Sequence, residues 1–301
     1  MKHHLRSLAL LAGIALVPGC IKKIAVNAVA NTLSGEGAGA FTRDNDLEFV
    51  GDAIPFAIKL MESIAEAAPK HSGIRWTLCS SYTQYAMVYV SWPADQVKDS
   101  DFDAYERGEA RTVNFLERAR GYCMAALELE YPGFEQEFMA DSTAALSRVE
   151  AEHTGLLYWT GASWLARISK SKTSMDSIAE LPLAADVIHR GLELDPDWAD
   201  GSLHDIAILL EPNLPMPGGY ERAREHFDKS IALSQGKLAS PYVSLATTVS
   251  IGEQKREEYV ELLNQALEVD ASNDPDTELA NTFAQEQARW YLDHIDDYFV
   301  E

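Results

Sequence analysis

One helical phrase recurs along this chain: a residue that is usually small, an apolar one four positions on, and a third, again usually small, three further. It reads Ala57, Met61, Ile64 and closes at Pro69, then Ala119, Cys123, Ala126 near Pro132. It returns as Ala184, Ile188, Gly191 before Pro196, as Ala223, Phe227, Ser230, and more weakly as Tyr259, Leu263, Ala266. Offsets of four and three put the three side chains on one stripe of an α-helix. Small members let a neighbouring helix approach closely, and the proline or polar break ends the helix. The chain is thereby expected to be all-α, built from helices that pack in pairs.

The phrase resembles the second helix of a tetratricopeptide repeat, and Tyr242, Leu245, Ala246 and Val249 fit its first helix. The third members fall at 64, 126, 191, 230 and 266, so the gaps are 62, 65, 39 and 36. The last two lie near the repeat length of about 34 residues, and the first two near its double. The expected fold is a divergent α-α superhelix with inserted helices and loops, whose stacked pairs offer a concave binding surface. Helices are expected at 46–68, 72–91, 103–130, 134–149, 151–169, 177–194, 198–210, 218–234, 239–250, 254–269 and 275–299. Asn45 and Glu48 have capping-box spacing, and Pro55 inside the first long helix predicts a kink.

The first residues read as a leader. Lys2 and Arg6 precede the apolar run Leu8 to Val17, too short to span a bilayer comfortably. Val17-Pro18-Gly19-Cys20 resembles a bacterial lipobox, with Pro18 unusual in it. Residues 1–19 are then a signal peptide and Cys20 the lipidated N-terminus. Residues 20–40 form an anchored segment with a Gly-rich hinge, and 41–301 the helical domain. Two or more acyl chains anchor stably. Ile21, rather than Asp, at the second mature position favours the outer membrane, with the domain facing the periplasm. The formal charge of −22 becomes about −24 without the leader, which argues against nucleic acid or anionic lipid as a charge-matched partner.

Cys79 and Cys123 remain. An oxidising compartment permits a disulfide, but both stand at apolar positions of the helix patterns and read as small core residues. No Cys-x2-Cys or His-x3-His pattern supports zinc, and no cofactor is expected. No nucleophile elbow, P-loop, dinucleotide fingerprint or zinc-protease motif is present, and Glu150 and Glu152, two apart, do not share a helix face. The chain does not read as an enzyme.

Several segments exceed what helix packing demands. They include Phe41-x2-Asp44-x-Asp46, Asp52-Ala53-x-Pro55-Phe56-x2-Lys59, Tyr82-Thr83-Gln84-Tyr85 and Leu157 to Ala162. Others are Leu194-Asp195-Pro196-x-Trp198-x2-Gly201-x2-His204, His226-Phe227-x3-Ile231-x-Leu233-Ser234 and Ala239 to Tyr242. Together they resemble the TatT component of TRAP transporters, from about Phe41 to Phe299. The resemblance implies a periplasmic helical lipoprotein that partners a TRAP solute-binding protein, self-associates and carries a hydrophobic passage. TRAP systems take up organic acids and related solutes. Residues placed to line a passage or meet a small organic-acid or hydrophobic ligand are Tyr82, Tyr85, Trp159 and Trp164, with Lys59, Gln84, Arg167 and His204 for a ligand carboxylate. The alternative reading is a general envelope scaffold of tetratricopeptide type that binds proteins.

Overall fold

Acidic and hydroxyl side chains start the helices. In a computed structural model describing residues 18–33, 39–171 and 174–300, the helix from Leu47 begins where Asp46 accepts from the Phe49 amide at 3.0 Å. Asp101 does the same for Ala104 and Asp141 for Ala144. Asn45, expected as part of that first cap, instead donates to Glu278 at 3.0 Å, tying the start of the chain to its last long helix.

The order is α1 (Pro18–Leu33), α2 (Gly39–Thr42), α3 (Leu47–Ala67), α4 (Ser72–Gln84), α5 (Trp92–Gln96), α6 (Phe102–Glu130), α7 (Phe134–Ala140) and α8 (Ser142–Ser147). Then come α9 (Thr154–Ser169), α10 (Met175–Ala179), α11 (Leu181–Leu194), α12 (Trp198–Leu210) and α13 (Gly219–Ser234). The chain ends with α14 (Ser240–Leu245), α15 (Arg256–Glu268) and α16 (Glu278–Asp293). Among the described residues there is no strand, and the fold is all-α. The leader and most of the Gly-rich hinge, at 1–17 and 34–38, lie outside the described residues, as does the side chain of Cys20.

Three departures from the expected helices have local causes. The stretch 134–149 breaks because Asp141 is extended (φ −156°, ψ 94°) and caps a new helix. The stretch 177–194 starts late because Pro182 occupies the first turn of α11, leaving α10 separate. Helix α3 runs unbroken through Pro55.

Most members of the recurring phrase are buried, while Ala57, Ile64 and Phe227 are half-buried. Ala119, Cys123, Ala126, Ala184, Ile188, Ala223 and Ser230 are fully buried, and so are Tyr259, Leu263 and Ala266. Helix α6 packs on α4 and α9, α9 on α11, α12 on α13, and α15 on α14 and α16. Gly161 makes the α9–α11 approach possible, since a Cβ there would meet Ile188 Cγ1 at 2.4 Å. One reading from sequence is corrected. Cys79 and Cys123 are buried core residues, but they are bonded to each other, α4 to α6, with their Cα atoms 5.2 Å apart. Apolar spacing identified their burial and could not register that the two stripes face each other.

Three apolar cores result. One groups α1, α3 and α4 with Ala119, one centres on α6 to α12, and one spans α12 to Phe299. The third comes back to the first through α16, which packs on α2 and α3. Trp92 helps close this ring: it meets Phe283, Trp290 and Tyr291 edge-on or tilted and donates to Glu286 at 3.0 Å.

Candidate functional site

Where the three cores meet, they leave a cavity of about 1100 Å³. Ile54, Ile58 and Met61 face it from the first core, Leu165, Ile168, Leu181 and Ile206 from the second, and Ala284 from the third. Dry protein interiors rarely leave voids larger than a water molecule, so a space of this size is the size of a ligand site. Leu60, Ile178 and Leu209 line it and are also 45%, 42% and 38% exposed, so the space reaches the surface beside them.

Helix geometry decides which residues of each wall look inward. On α4, Thr77, Ser80, Ser81 and Gln84 recur at three and four and face the cavity, while Leu78, Cys79 and Tyr82 fall on the buried side. On α9, Tyr158, Trp159, Ala162, Leu165, Ala166 and Ser169 face it. Two π-helical segments, Tyr85–Ser91 and Ala246–Ser250, continue α4 and α14, and both supply lining residues: Met87, Val88 and Tyr89 from one, Thr247 and Thr248 from the other. A π turn adds a residue to the helical register and concentrates at functional sites. Here both widen the helix at the cavity.

The wall is mostly apolar, and its polar groups are largely spent. Thr77 Oγ1 donates to the Gly73 carbonyl at 3.1 Å, Ser80 Oγ to Thr77 at 3.0 Å, Thr83 Oγ1 to Cys79 at 2.8 Å and Thr247 Oγ1 to Val243 at 2.8 Å. Such back-bonding consumes the hydroxyl proton and leaves oxygen lone pairs outward. The Tyr89 hydroxyl is sealed without a partner behind Gly51, where a Cβ would touch the ring at 2.7 Å, and burial pushes it up to about 12.

Among the described lining residues the charged ones are both acidic. Asp276 pairs with Arg43 at 2.5 Å, and Asp205 has no ion pair among the described residues. Asp205 Oδ1 is buried with no hydrogen-bond partner. Burial raises the carboxyl above the usual aspartate range, and the nearby Ser240 and Ser244 hydroxyls offset only part of this. Tyr158 lies next to it in the wall, and its own hydroxyl is raised by burial first and by the Asp205 charge second. Tyr158 is set by an unusual turn. Ala199, Asp200 and Gly201 all take positive φ (47°, 55° and 89°), which seats Trp198 against Tyr158 at 4.8 Å between ring centres. Gly201 is required there: a Cβ would press on Ser230 Cα and Leu233 Cβ at 3.2 Å.

Of the residues expected from sequence, Gln84 and Trp159 line the cavity. The other six engage elsewhere. Tyr82 Oη donates to Glu62 at 2.6 Å, and Lys59, largely exposed, pairs with the same carboxylate. Tyr85 packs edge-on against Phe115. Trp164 is sealed against Phe138 and donates to Glu180 at 2.6 Å, and Arg167 pairs with Glu180 and donates to Ser177. His204 Nδ1 shares a proton with His226 Nδ1 at 2.7 Å, and desolvation lowers both to about 4. The expected trio of cations for a ligand carboxylate is thus not assembled at the cavity. Sequence missed Asp205, Tyr158, Phe283 and the π segments. The signal for the first was its place directly after His204 in the same motif.

Fold and cavity define a class: an all-helical protein whose packed helix pairs enclose a ligand-sized, mostly apolar space. Among the described residues no three His, Cys, Asp or Glu are arranged to hold a metal, and no helix is long and apolar enough to cross a membrane. Residues 43–299 match the TRAP transporter T-component family, and the chain belongs to it. A protein of Treponema pallidum (strain Nichols), described as uncharacterized, is 24% identical over 310 residues, covering 96% of each chain. Membership makes this protein an accessory of a TRAP transporter system rather than a member of a known enzyme family, with a periplasmic or envelope location.

Proposed function

We propose that this protein is an envelope lipoprotein, anchored through Cys20, that docks a TRAP solute-binding protein over its cavity and holds or passes an apolar ligand. The observation that carries the ligand reading is the cavity of about 1100 Å³, open at Leu60, Ile178 and Leu209 and walled on two sides by π-widened helices. The docking reading rests on the family and on exposed apolar side chains around that opening. Phe56, at 75%, stands one turn before Leu60 on α3. Contiguous exposed apolar surface marks interaction sites. A tetratricopeptide-like reading of the helix pairs supports the same role, because such stacks bind partners on one face.

Co-purification from the native envelope tests docking. The unmodified protein is expected to retain a TRAP solute-binding protein, and the paired change Phe56→Asp and Leu60→Asp to lose it while keeping its thermal midpoint within a few degrees. Retention by the double variant places the partner elsewhere, and no retention by the unmodified protein contradicts docking itself.

A further inference from the structure

The same cavity is built to accept hydrogen bonds and carries nothing to neutralise an anion. Among its described lining residues there is no Lys, Arg or His. The hydroxyls of Thr77, Ser80, Thr83 and Thr247 have given their protons to carbonyls of their own helices, and the Gln84 amide turns back to Ser80. What they offer inward is acceptor lone pairs. At one point in this wall stands Asp205, whose Oδ1 is buried and unmatched even though the Ser240 and Ser244 hydroxyls lie beside the carboxyl. A buried charge is stable only when paired, and a buried acceptor is costly while unmet. An ionised organic acid entering here would meet a carboxylate and lone pairs with no counter-charge.

From the unmatched Asp205 oxygen, the acceptor-lined wall and the absence of a lining cation, we infer that the cavity selects an amphiphile with a protonated-amine head, seated on Asp205, over one with a carboxylate head. The inference rests on the ligand-holding function proposed above and deepens it. The ammonium supplies donors to those lone pairs and a charge that matches the buried carboxylate. The apolar tail lies along Ile54, Ile58, Leu165 and Phe283. By this chemistry the small organic anions moved by such transporters belong in the solute-binding partner, and this cavity serves a different molecule.

The test uses three chains of equal length, octylamine, octanol and octanoate, titrated calorimetrically at pH 7 into the full chain in its unlipidated Cys20→Ala form without detergent. The expected order is amine, then alcohol, then carboxylate, with about ten-fold or more between the ends. Asp205→Asn is expected to shrink that spread to under about three-fold by weakening the amine. Glu257→Gln, which removes an exposed surface charge, is expected to leave it intact. Carboxylate binding as tight as the amine, or an unchanged spread in Asp205→Asn, overturns the inference. If Asp205→Asn does not fold, the order in the parent chain still decides. Binding of none of the three contradicts the ligand-holding reading instead, so the two failures are distinct.

Discussion

Helices α4 and α9 each build two opposite things. On one side they meet α6 and the α10–α11 junction in a packed seam: Cys79 is bonded to Cys123, Cys123 Sγ lies 3.7 Å from Ser163 Oγ, and Trp164 and Arg167 converge on Glu180. On the other side the same two helices line the cavity with Ser81, Gln84, Trp159 and Ala162. The seam is dense, cross-linked and hydrogen-bonded. The wall has few cross-helix bonds and holds open space. Trp159 and Trp164 show the difference on one helix: five residues at about 100° each put them ~140° apart, one at the cavity and one 1% exposed in the core. The wall keeps its space because the seam behind it carries the rigidity.

If that division is right, equal changes on the two sides have unequal effects. The largest loss of stability is expected for Trp164→Ala, about 3–5 kcal/mol for a buried Trp, because it empties the seam and strips Glu180 of a donor. Chemical denaturation measures it. Next is the Cys79→Ala, Cys123→Ala pair or full reduction, about 2–4 kcal/mol for a bridge closing a 44-residue separation. Gly161→Leu follows at about 1–3 kcal/mol, since α11 lies against that position. Its neighbour on the cavity side, Ala162→Leu, is expected to cost under ~1 kcal/mol while weakening octylamine binding. Equal destabilisation by the two Leu variants would erase the distinction between seam and wall.

A separate, pH-dependent effect comes from the histidine pair, which lies outside both regions. His204 and His226 stay neutral in the folded protein down to about pH 4, through desolvation first, whereas unfolded histidines protonate near 6.5. The unfolded chain therefore binds more protons in that window. Stability is full above about pH 6.5 and declines as the pH falls toward 4, by at most roughly 3 kcal/mol for each histidine. His204→Gln with His226→Gln should flatten the decline, read from thermal unfolding at pH 7 and pH 5.

Much of the frame was legible in the sequence because it depends on periodicity. The small–apolar–small phrase marked Ala119, Ala184 and Ala223 as contact residues, and they are fully buried. The site was less legible because it depends on rotation about a helix axis and on which helices meet. Motif membership drew attention to His204, yet the cavity takes its neighbour Asp205, one residue and about 100° further round. Tyr82 and Gln84 sit in one motif and point to opposite sides. The disulfide illustrates the same boundary: each cysteine's burial follows from its own helix, while their union depends on how α4 meets α6.

The most direct measurement is quenching of tryptophan fluorescence by 8-bromooctylamine, whose heavy atom reports only nearby rings. Saturable quenching is expected, reduced strongly by Trp159→Phe and kept by Trp164→Phe. A titration that never saturates, or one in which Trp159→Phe changes nothing, would contradict a ligand cavity walled by this face of α9.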